Sequence, residues 1–198
     1  MGAHVAAGRG EDRFSRRITG KYYPVLPGFS VSAAIALASN QSIGIPLWLP
    51  DASVIDRLAV VLAAGGVGAT TRGRMGLYYM DPATGLPGAL MADYGLMNFS
   101  AVDTIESATL PTLVSPGWVT VALWAEQMSV SQPSSIGWAF RSIIPVSILG
   151  MFAPPGGYDQ ANVGVYKNGI AAAGGLPNPF GAAPGYLSSA PMLCFRQG

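Results

Sequence analysis

Residues 73–90 read GRMGLYYMDPATGLPGAL, and this stretch predicts a strand, a loop and a second strand. An apolar run rich in methionine and tyrosine stops at Asp81-Pro82, and the run ALMADYGLMNF follows the loop. Asp favours a turn because its carboxylate bonds nearby backbone amides, and Pro favours one because its ring fixes φ. Gly85 and Gly88 tolerate positive φ. The loop therefore needs no ligand to explain its residues.

Strand patterns recur along the chain. In GWVTVALWAEQ (117–127), Val and Leu at odd positions alternate with Trp, Thr and Ala at even positions, as the two faces of a strand require. IDRLAVVLAA (55–64) alternates in part, with Ile55 and Arg57 on one face and Asp56 and Leu58 on the other. SIGIPLWLP (42–50) predicts a strand with a proline at an edge or bulge. VSAAIALASNQ (31–41) fits either a short helix or a strand.

About eight to ten strands at roughly 10–15-residue spacing, without a long helical period, predict an all-β protein: an antiparallel β-sandwich of jelly-roll type. The 26 glycines and 16 prolines among 198 residues agree with a fold of many turns. The chain is 50% hydrophobic and only 11% charged, whereas typical soluble domains are about 25% charged. No apolar run reaches the ~18 residues of a membrane-spanning helix, so we expect no membrane insertion. Low charge then predicts a surface covered by protein, as in a homo-oligomer.

We predict an extended N-terminal arm over residues 1–20 and a single sandwich domain over residues 21–198. The domain includes an irregular Gly/Pro-rich stretch at 154–191, which we expect to lie over a neighbouring chain because it cannot bury a core alone. The N-terminus has no apolar secretory signal. Five of the eleven basic residues fall within the first 21 positions and are candidate docking residues: Arg9, Arg13, Arg16, Arg17 and Lys21. The net charge of +1 argues against a nucleic-acid partner.

The sequence has little of what an enzyme needs. The single histidine, His4, lies on the arm, which argues against a Ser-His-Asp triad or a His-rich metal site. A carboxylate pair of the glycosidase kind is conceivable, but the ten acidic residues show no signature spacing. Calcium at Asp81 is an alternative for the quoted loop, yet one carboxylate is too few for the roughly six to eight oxygens that calcium prefers. We therefore expect no enzymatic activity, no metal and no cofactor.

Aromatic residues are the second kind of candidate site. Because adjacent residues of a strand point to opposite faces, Tyr78 and Tyr79 cannot both lie in the core. One of them is expected to face solvent, a partner subunit or a ligand. Core or interface packing is the commoner role of such side chains, and a sugar-stacking platform is the alternative. The candidate ligand or interface aromatics are Tyr78, Tyr79, Trp118, Trp124 and Trp138. The lone cysteine, Cys194, is expected to be a buried apolar residue.

Short features in a fixed order resemble a known module. They are GKYYPVLPG, LWLPDASVIDRLAV, the turn AAGGVGATT, RGRMGLYYMDPATGLPGALMADYG and SPGWVTVALW. Residues 21–125, about half of the chain, thereby resemble a β-sandwich module of tailed-bacteriophage virion proteins, especially tail-fibre and related surface proteins. These are scaffold motifs, so they inform the fold better than the function. The resemblance also implies trimers, which are common in such fibres.

Two functions follow as expectations. The first is a non-enzymatic structural component of a bacteriophage virion, such as a tail-fibre or capsid-decoration protein, which assembles with other virion proteins through its arm and apolar surfaces. The second is a host-attachment module that binds a host surface glycan. In either case the expected location is the virion, assembled in the host cytoplasm.

Overall fold

The computed structural model describes residues 17–25, 31–37, 40–64, 72–99, 104–125, 138–143, 164–181, 185–187, 190–191 and 193–198. Within these ranges every regular element is a β-strand. The strands are β1 (Tyr22–Pro24), β2 (Val31–Leu37), β3 (Gln41–Leu49), β4 (Ser53–Ala64), β5 (Arg72–Met80), β6 (Pro87–Asn98), β7 (Thr104–Glu106), β8 (Thr112–Val114), β9 (Gly117–Ala125), β10 (Trp138–Ile143), β11 (Gly164–Lys167), β12 (Gly185–Leu187), β13 (Ala190–Pro191) and β14 (Leu193–Gln197). The segment 31–41, which fits a helix or a strand by sequence, is therefore a strand over its first seven residues.

The strands form two antiparallel sheets. The first runs β1-β14-β4-β10-β13, with β2 paired to β10 and with β7 and β8 paired to β4. The second runs β12-β11-β3-β9-β5-β6. One hydrophobic cluster joins the two sheets, for example Ile55 and Phe195 from the first and Leu77 and Val121 from the second. The predicted all-β antiparallel sandwich is thus confirmed, and its jelly-roll connectivity stays a prediction.

Strand β9 has the two faces that its sequence predicts. Val119, Val121 and Leu123 belong to the cluster between the sheets. Ala122 and Trp124 point the other way, into a second cluster on the outer face of the second sheet. Both faces of β9 are therefore buried along most of its length, which explains its nearly continuous apolar sequence.

Strand β4 departs from simple alternation. Its register with β14 pairs Arg57 with Arg196 and Ile55 with Gln197, which leaves Asp56 as an extra, unpaired residue. Such a bulge places two consecutive side chains on one side of the strand. Ile55 and Leu58 consequently both lie in the core, so the predicted assignment of these residues to opposite faces is wrong. Asp56 lies beside Arg196 and forms an ion pair with it at 2.6 Å.

A strap covers the outer face of the second sheet. We use this name for residues 168–181, which have no regular secondary structure and follow β11. Its side chains Ala172, Leu176 and Phe180 pack with Tyr78 and Trp124 of the sheet, and all five are buried. This part of the Gly/Pro-rich stretch therefore lies on the chain's own sheet, not on a neighbouring chain as the sequence led us to expect.

Hydrogen bonds fasten the strap along its length. The indole Nε1–H of Trp124 donates to the carbonyl of Ile170 at 2.7 Å, and the hydroxyl of Tyr78 donates to the carbonyl of Pro177 at 2.7 Å. Burial of that hydroxyl raises the pKa of Tyr78 above its usual value. At the far end, the Phe180 amide donates to the carbonyl of Gly88 at 3.0 Å. These bonds satisfy polar groups that would otherwise be buried without partners.

An ion pair anchors the middle of the strap. The carboxylate of Asp93 on β6 accepts hydrogen bonds from Arg74 Nη1 at 2.9 and 3.0 Å and from the strap amide of Leu176 at 3.0 Å. Arg74 Nη2 in turn donates to the strap carbonyl of Ala173 at 2.9 Å. The two charged side chains are only 13% and 22% exposed. A paired carboxylate and guanidinium are therefore shared between the sheet and the strap.

Candidate functional site

Two tryptophans lie side by side on the outer face of the second sheet. The strap does not cover this end of the sheet. Trp48 of β3 and Trp118 of β9 are direct partners in the antiparallel register. Their rings lie 5.3 Å apart between centroids and are tilted by 53°. They are 50% and 46% exposed, whereas Trp124 on the same face of β9 is fully buried beneath the strap. An exposed aromatic pair of this kind is typical of a binding surface.

The loop of the opening sequence stretch borders the tryptophans. The Asp81 amide donates to the carbonyl of Leu86, and the Gly85 amide donates to the carbonyl of Asp81, both at 2.8 Å. Gly85 has φ of +68°, as predicted, whereas Gly88 is not among the residues of positive φ and lies in β6. Of these two glycines, which both tolerate positive φ, Gly85 adopts it and Gly88 does not. The loop turns the chain, and it also forms one wall of a groove.

The groove between the loop and the tryptophans has a volume of about 660 Å³. Small-molecule sites typically enclose roughly 300–1,000 Å³ and combine apolar and aromatic walls with a few polar groups. The walls here fit that description, with two indoles, three prolines, Met80 and Leu86 beside one carboxylate and one hydroxyl. The lining residues are Pro46, Trp48, Met80, Asp81, Pro82, Thr84, Gly85, Leu86, Pro116, Gly117 and Trp118.

Asp81 supplies the charge of the groove. Its Oδ1 accepts a hydrogen bond from the Ala83 amide and its Oδ2 accepts one from the Thr84 hydroxyl, both at 2.9 Å. Hydrogen bonds to the ionised form, first that of the Ala83 amide, lower the pKa of Asp81 below its usual value. The carboxylate is therefore negative at neutral pH. Its loop bonds account for its presence without a cation, in line with the sequence interpretation.

The predicted aromatic residues separate into different environments. Trp118 lines the groove and Tyr79 is 56% exposed, but Tyr79 pairs with Val119 and so projects from the face opposite to Trp118. Tyr78 and Trp124 are completely buried beneath the strap, so a ligand role for these two is wrong and a core role is right. Trp138 lies in β10, whose side chains are outside the described part of the structure.

Trp48 is the groove residue that sequence reasoning missed. Its strand was predicted, and alternation within SIGIPLWLP places Trp48 on the face opposite to Leu47 and Leu49. That signal marks Trp48 as a non-core residue but does not pair it with Trp118, because the pairing depends on the β3–β9 register. Pro46, predicted at an edge or bulge, lies in β3 beyond Gly44, where the pairing of β3 with β11 ends.

The candidate docking residues divide at the border of the described region. Arg9, Arg13 and Arg16 lie outside the described residues. Arg17 packs on the sandwich: its guanidinium lies 5.1 Å from the ring centroid of Phe195 and donates to Ser53 Oγ at 3.2 Å. Burial lowers the pKa of Arg17. Lys21 is exposed next to β1, and the Gly20 amide bonds the carbonyl of Gln197 at 2.6 Å. Residues 17–20 thus accompany the sandwich, ahead of the predicted start at residue 21.

The other described acidic clusters are structural ion pairs. Asp56 pairs with Arg196, and Glu106 pairs with Arg57 at 2.8 Å. The bonds from Arg196 lower the pKa of Asp56. Within the described ranges no three His, Cys, Asp or Glu side chains come together as metal ligands would. Cys194 on β14 is half-buried, and burial raises the pKa of its thiol.

The sequence and the structure of this chain were compared with those of known proteins. No family model, curated protein or solved structure matches this chain. In the part of the chain that the structure describes, no helix is long and apolar enough to cross a membrane.

Proposed function

We propose that this protein is a non-enzymatic component of a bacteriophage virion surface whose groove at Trp48 and Trp118 binds a glycan. The exposed tryptophan pair carries the proposal. The virion location is supported by the resemblance of residues 21–125 to phage surface modules. Of the two functions that the sequence leaves open, attachment to a glycan is the one for which the fold offers a formed site.

A sugar matches the chemistry of the groove. A pyranose ring presents C–H groups on its faces and hydroxyl groups around its rim. The C–H faces suit the negative π-face of an indole, and the hydroxyls suit a carboxylate. Trp48 and Trp118 supply the first kind of surface and Asp81 supplies the second. The 53° tilt makes the aromatic surface bent, so it fits a single glycan chain better than a flat crystalline polysaccharide.

The absence of catalytic chemistry is part of the proposal and rests on the residues near the groove. Asp81 is the only carboxylate among the described residues that line it. Hydrolysis of a glycosidic bond by the common mechanism needs two carboxyl groups within about 5–10 Å across the sugar. Asp56, Asp93 and Glu106 each pair with an arginine elsewhere in the sandwich.

Binding to a glycan array tests the proposal with the full-length protein. Trp118→Ala and Trp48→Ala should each weaken binding about 5- to 150-fold, since the loss of one aromatic stacking contact costs about 1–3 kcal/mol. Tyr79→Ala is the matched control, because it removes an exposed aromatic from the opposite face. Unchanged binding in both tryptophan variants, or no glycan bound by the wild type, would contradict the proposal. Wild-type protein should also block adsorption of the particle to its host cells.

Assembly as a purely structural subunit is the second candidate function. Three exposed apolar side chains at the first sheet favour it: Ile18 at 60%, Leu110 at 40% and Leu113 at 73% exposed. Leu113 lies in β8 of that sheet, and the backbone amides of Ile18 and Leu110 donate to residues of β1 and β4. Light scattering of the full-length protein with and without residues 1–20 tests self-association. A stable oligomer that is lost on Leu113→Asp substitution supports this function, and a monomer in both forms counts against it.

A further inference from the structure

The structure points to an uncharged glycan as the ligand of the groove and to discrimination against acidic glycans; this inference rests on the proposed function and specifies its ligand class. Three features carry it: the charge of the lining, the hydrogen-bonding capacity left on Asp81, and the contacts that hold Arg17 outside the groove.

The lining has one ionisable side chain. Asp81 is acidic, and no Lys, Arg or His occurs among the described residues that border the groove. Recognition of a carboxylate, sulfate or phosphate on a sugar normally uses arginine, lysine or a cluster of backbone amides. The described walls instead bring one negative charge to the groove.

Asp81 keeps capacity for hydroxyl groups. An ionised carboxylate offers about four lone-pair sites. The Ala83 amide and the Thr84 hydroxyl occupy one site on each oxygen. The Thr84 amide also bonds the carboxylate, so about one acceptor site remains, which suits a sugar hydroxyl that donates to it. Thr84 offers less, because its hydroxyl donates to Asp81 and accepts from the Leu86 amide.

Arg17 contacts the backbone of one groove residue, and its other contacts hold it away from the lining. It reaches the backbone carbonyl of Trp48 at 3.5 Å, but it is not part of the lining. Its guanidinium lies over the Phe195 ring and donates to Ser53. A negative sugar in the groove would thus meet Asp81 without a compensating cation from the described walls.

The test uses polysaccharides that differ only in charge. Hyaluronan, alginate and polygalacturonate are each compared with the same polymer after reduction of its carboxyl groups to primary alcohols. Binding to the full-length protein is measured by calorimetry at about 50 mM and 500 mM salt, because repulsion between exposed charges is screened by salt. At low salt we expect the dissociation constant of at least one acidic polymer to be about ten times that of its reduced form, or larger. This ratio of dissociation constants should fall at high salt.

Two variants assign the discrimination to the groove. Asp81→Asn removes the charge and keeps an acceptor oxygen, so the ratio between neutral and acidic forms should fall toward one. Glu106→Gln, at an exposed carboxylate outside the lining, should leave the ratio unchanged. Thermal unfolding and circular dichroism of Asp81→Asn verify that the variant folds.

The outcomes separate this inference from the proposed function. Equal or tighter binding of the acidic forms, with binding lost in Trp118→Ala, overturns the charge discrimination and leaves glycan binding in place. A preference for neutral forms that Asp81→Asn leaves intact also overturns the inference, since the charge of Asp81 would then not be its cause. Binding of none of the six polymers and of no array glycan contradicts the proposed function and this inference together.

Discussion

Replacement of Asp93 by Asn should detach the strap from the second sheet and destabilise the protein. Asp93 holds Arg74 through both carboxylate oxygens and also accepts the Leu176 amide. Asn at this position retains one acceptor oxygen but presents an NH₂ group to donors on the other side. Arg74, only 13% exposed, would then keep its charge without a counter-ion.

The magnitude follows from the burial of the pair. Removal of one partner of a fully buried ion pair costs about 3–5 kcal/mol. Because the Asp93 side chain is 22% exposed, water can replace part of the lost interaction, and we expect about 2–4 kcal/mol. With a urea dependence of about 2 kcal/mol/M, the unfolding midpoint should fall by about 1–2 M.

Glu106→Gln is the matched control. Glu106 pairs with Arg57 at 2.8 Å, which is close to the 2.9 Å of the Asp93 pair, but these side chains are 39% and 32% exposed. An ion pair this exposed is worth less than about 1 kcal/mol. Urea unfolding followed by circular dichroism gives both values. If Asp93→Asn shifts the midpoint no more than Glu106→Gln does, burial does not set the strength of the strap anchor and the reasoning fails.

Hydrogen exchange shows whether the loss is local or global. The amides of Leu176 and Phe180 donate to Asp93 and Gly88 in the native structure. In Asp93→Asn these two should exchange faster than amides of β9 under native conditions, since a strap can open while the sheet stays folded. Equal acceleration in the strap and in β9 would mean that the strap has no opening of its own.

Three further predictions follow. Tyr94→Phe should cost about 1 kcal/mol, because the hydroxyl donates to the Ile55 carbonyl at 2.8 Å. Burial raises the pKa of Tyr94 to about 12, so the stability that its hydroxyl contributes is complete below about pH 10 and is lost as pH rises through the folded pKa. The stability difference between wild type and Tyr94→Phe should therefore shrink between about pH 10 and pH 12; a constant difference in alkaline unfolding curves contradicts this. Asp56→Asn should flatten the loss of stability below about pH 4, since the Arg196 bonds lower the folded pKa of Asp56 and this stabilisation disappears as pH falls through it; an unchanged acid profile contradicts this. Gly73→Ala should cost about 1–3 kcal/mol because its Cβ would collide with the Phe99 ring, while the control Gly174→Ala, where a Cβ meets nothing within 4 Å, should have little effect on the thermal midpoint.

Elements with a strict two-residue period were predictable from sequence. The odd and even positions of 117–127 belong to two different hydrophobic clusters, as their alternation indicates. Strand β4 shows the limit of this approach, because the bulge at Asp56 depends on the pairing with β14, some 140 residues away in the chain. The two-residue alternation of apolar side chains is visible in the sequence of one strand, whereas a register shift depends on which two strands pair.

The strap and the groove depend on long-range contacts for the same reason. Residues 168–181 have no periodicity, since their backbone bonds to side chains such as Asp93 and Trp124 and to isolated carbonyls, and not to a regular strand ladder. The sequence predicted that one of Tyr78 and Tyr79 is exposed, and Tyr79 is. It could not predict that Trp124 is covered and Trp118 is exposed, because the strap that covers Trp124 comes from residues some 50 positions further along the chain.

The strap also determines how the second sheet can meet other chains. Strand β6 is the last strand of that sheet, and two polar backbone groups on its free edge are occupied: the Gly88 carbonyl accepts from Phe180 and the Leu90 amide donates to Asn178. Strand edges with unoccupied groups are templates on which another chain can add a strand. At Gly88–Leu90 an incoming strand would first have to displace residues 178–180. At this part of the edge, strand addition by another copy of this protein therefore competes with the strap.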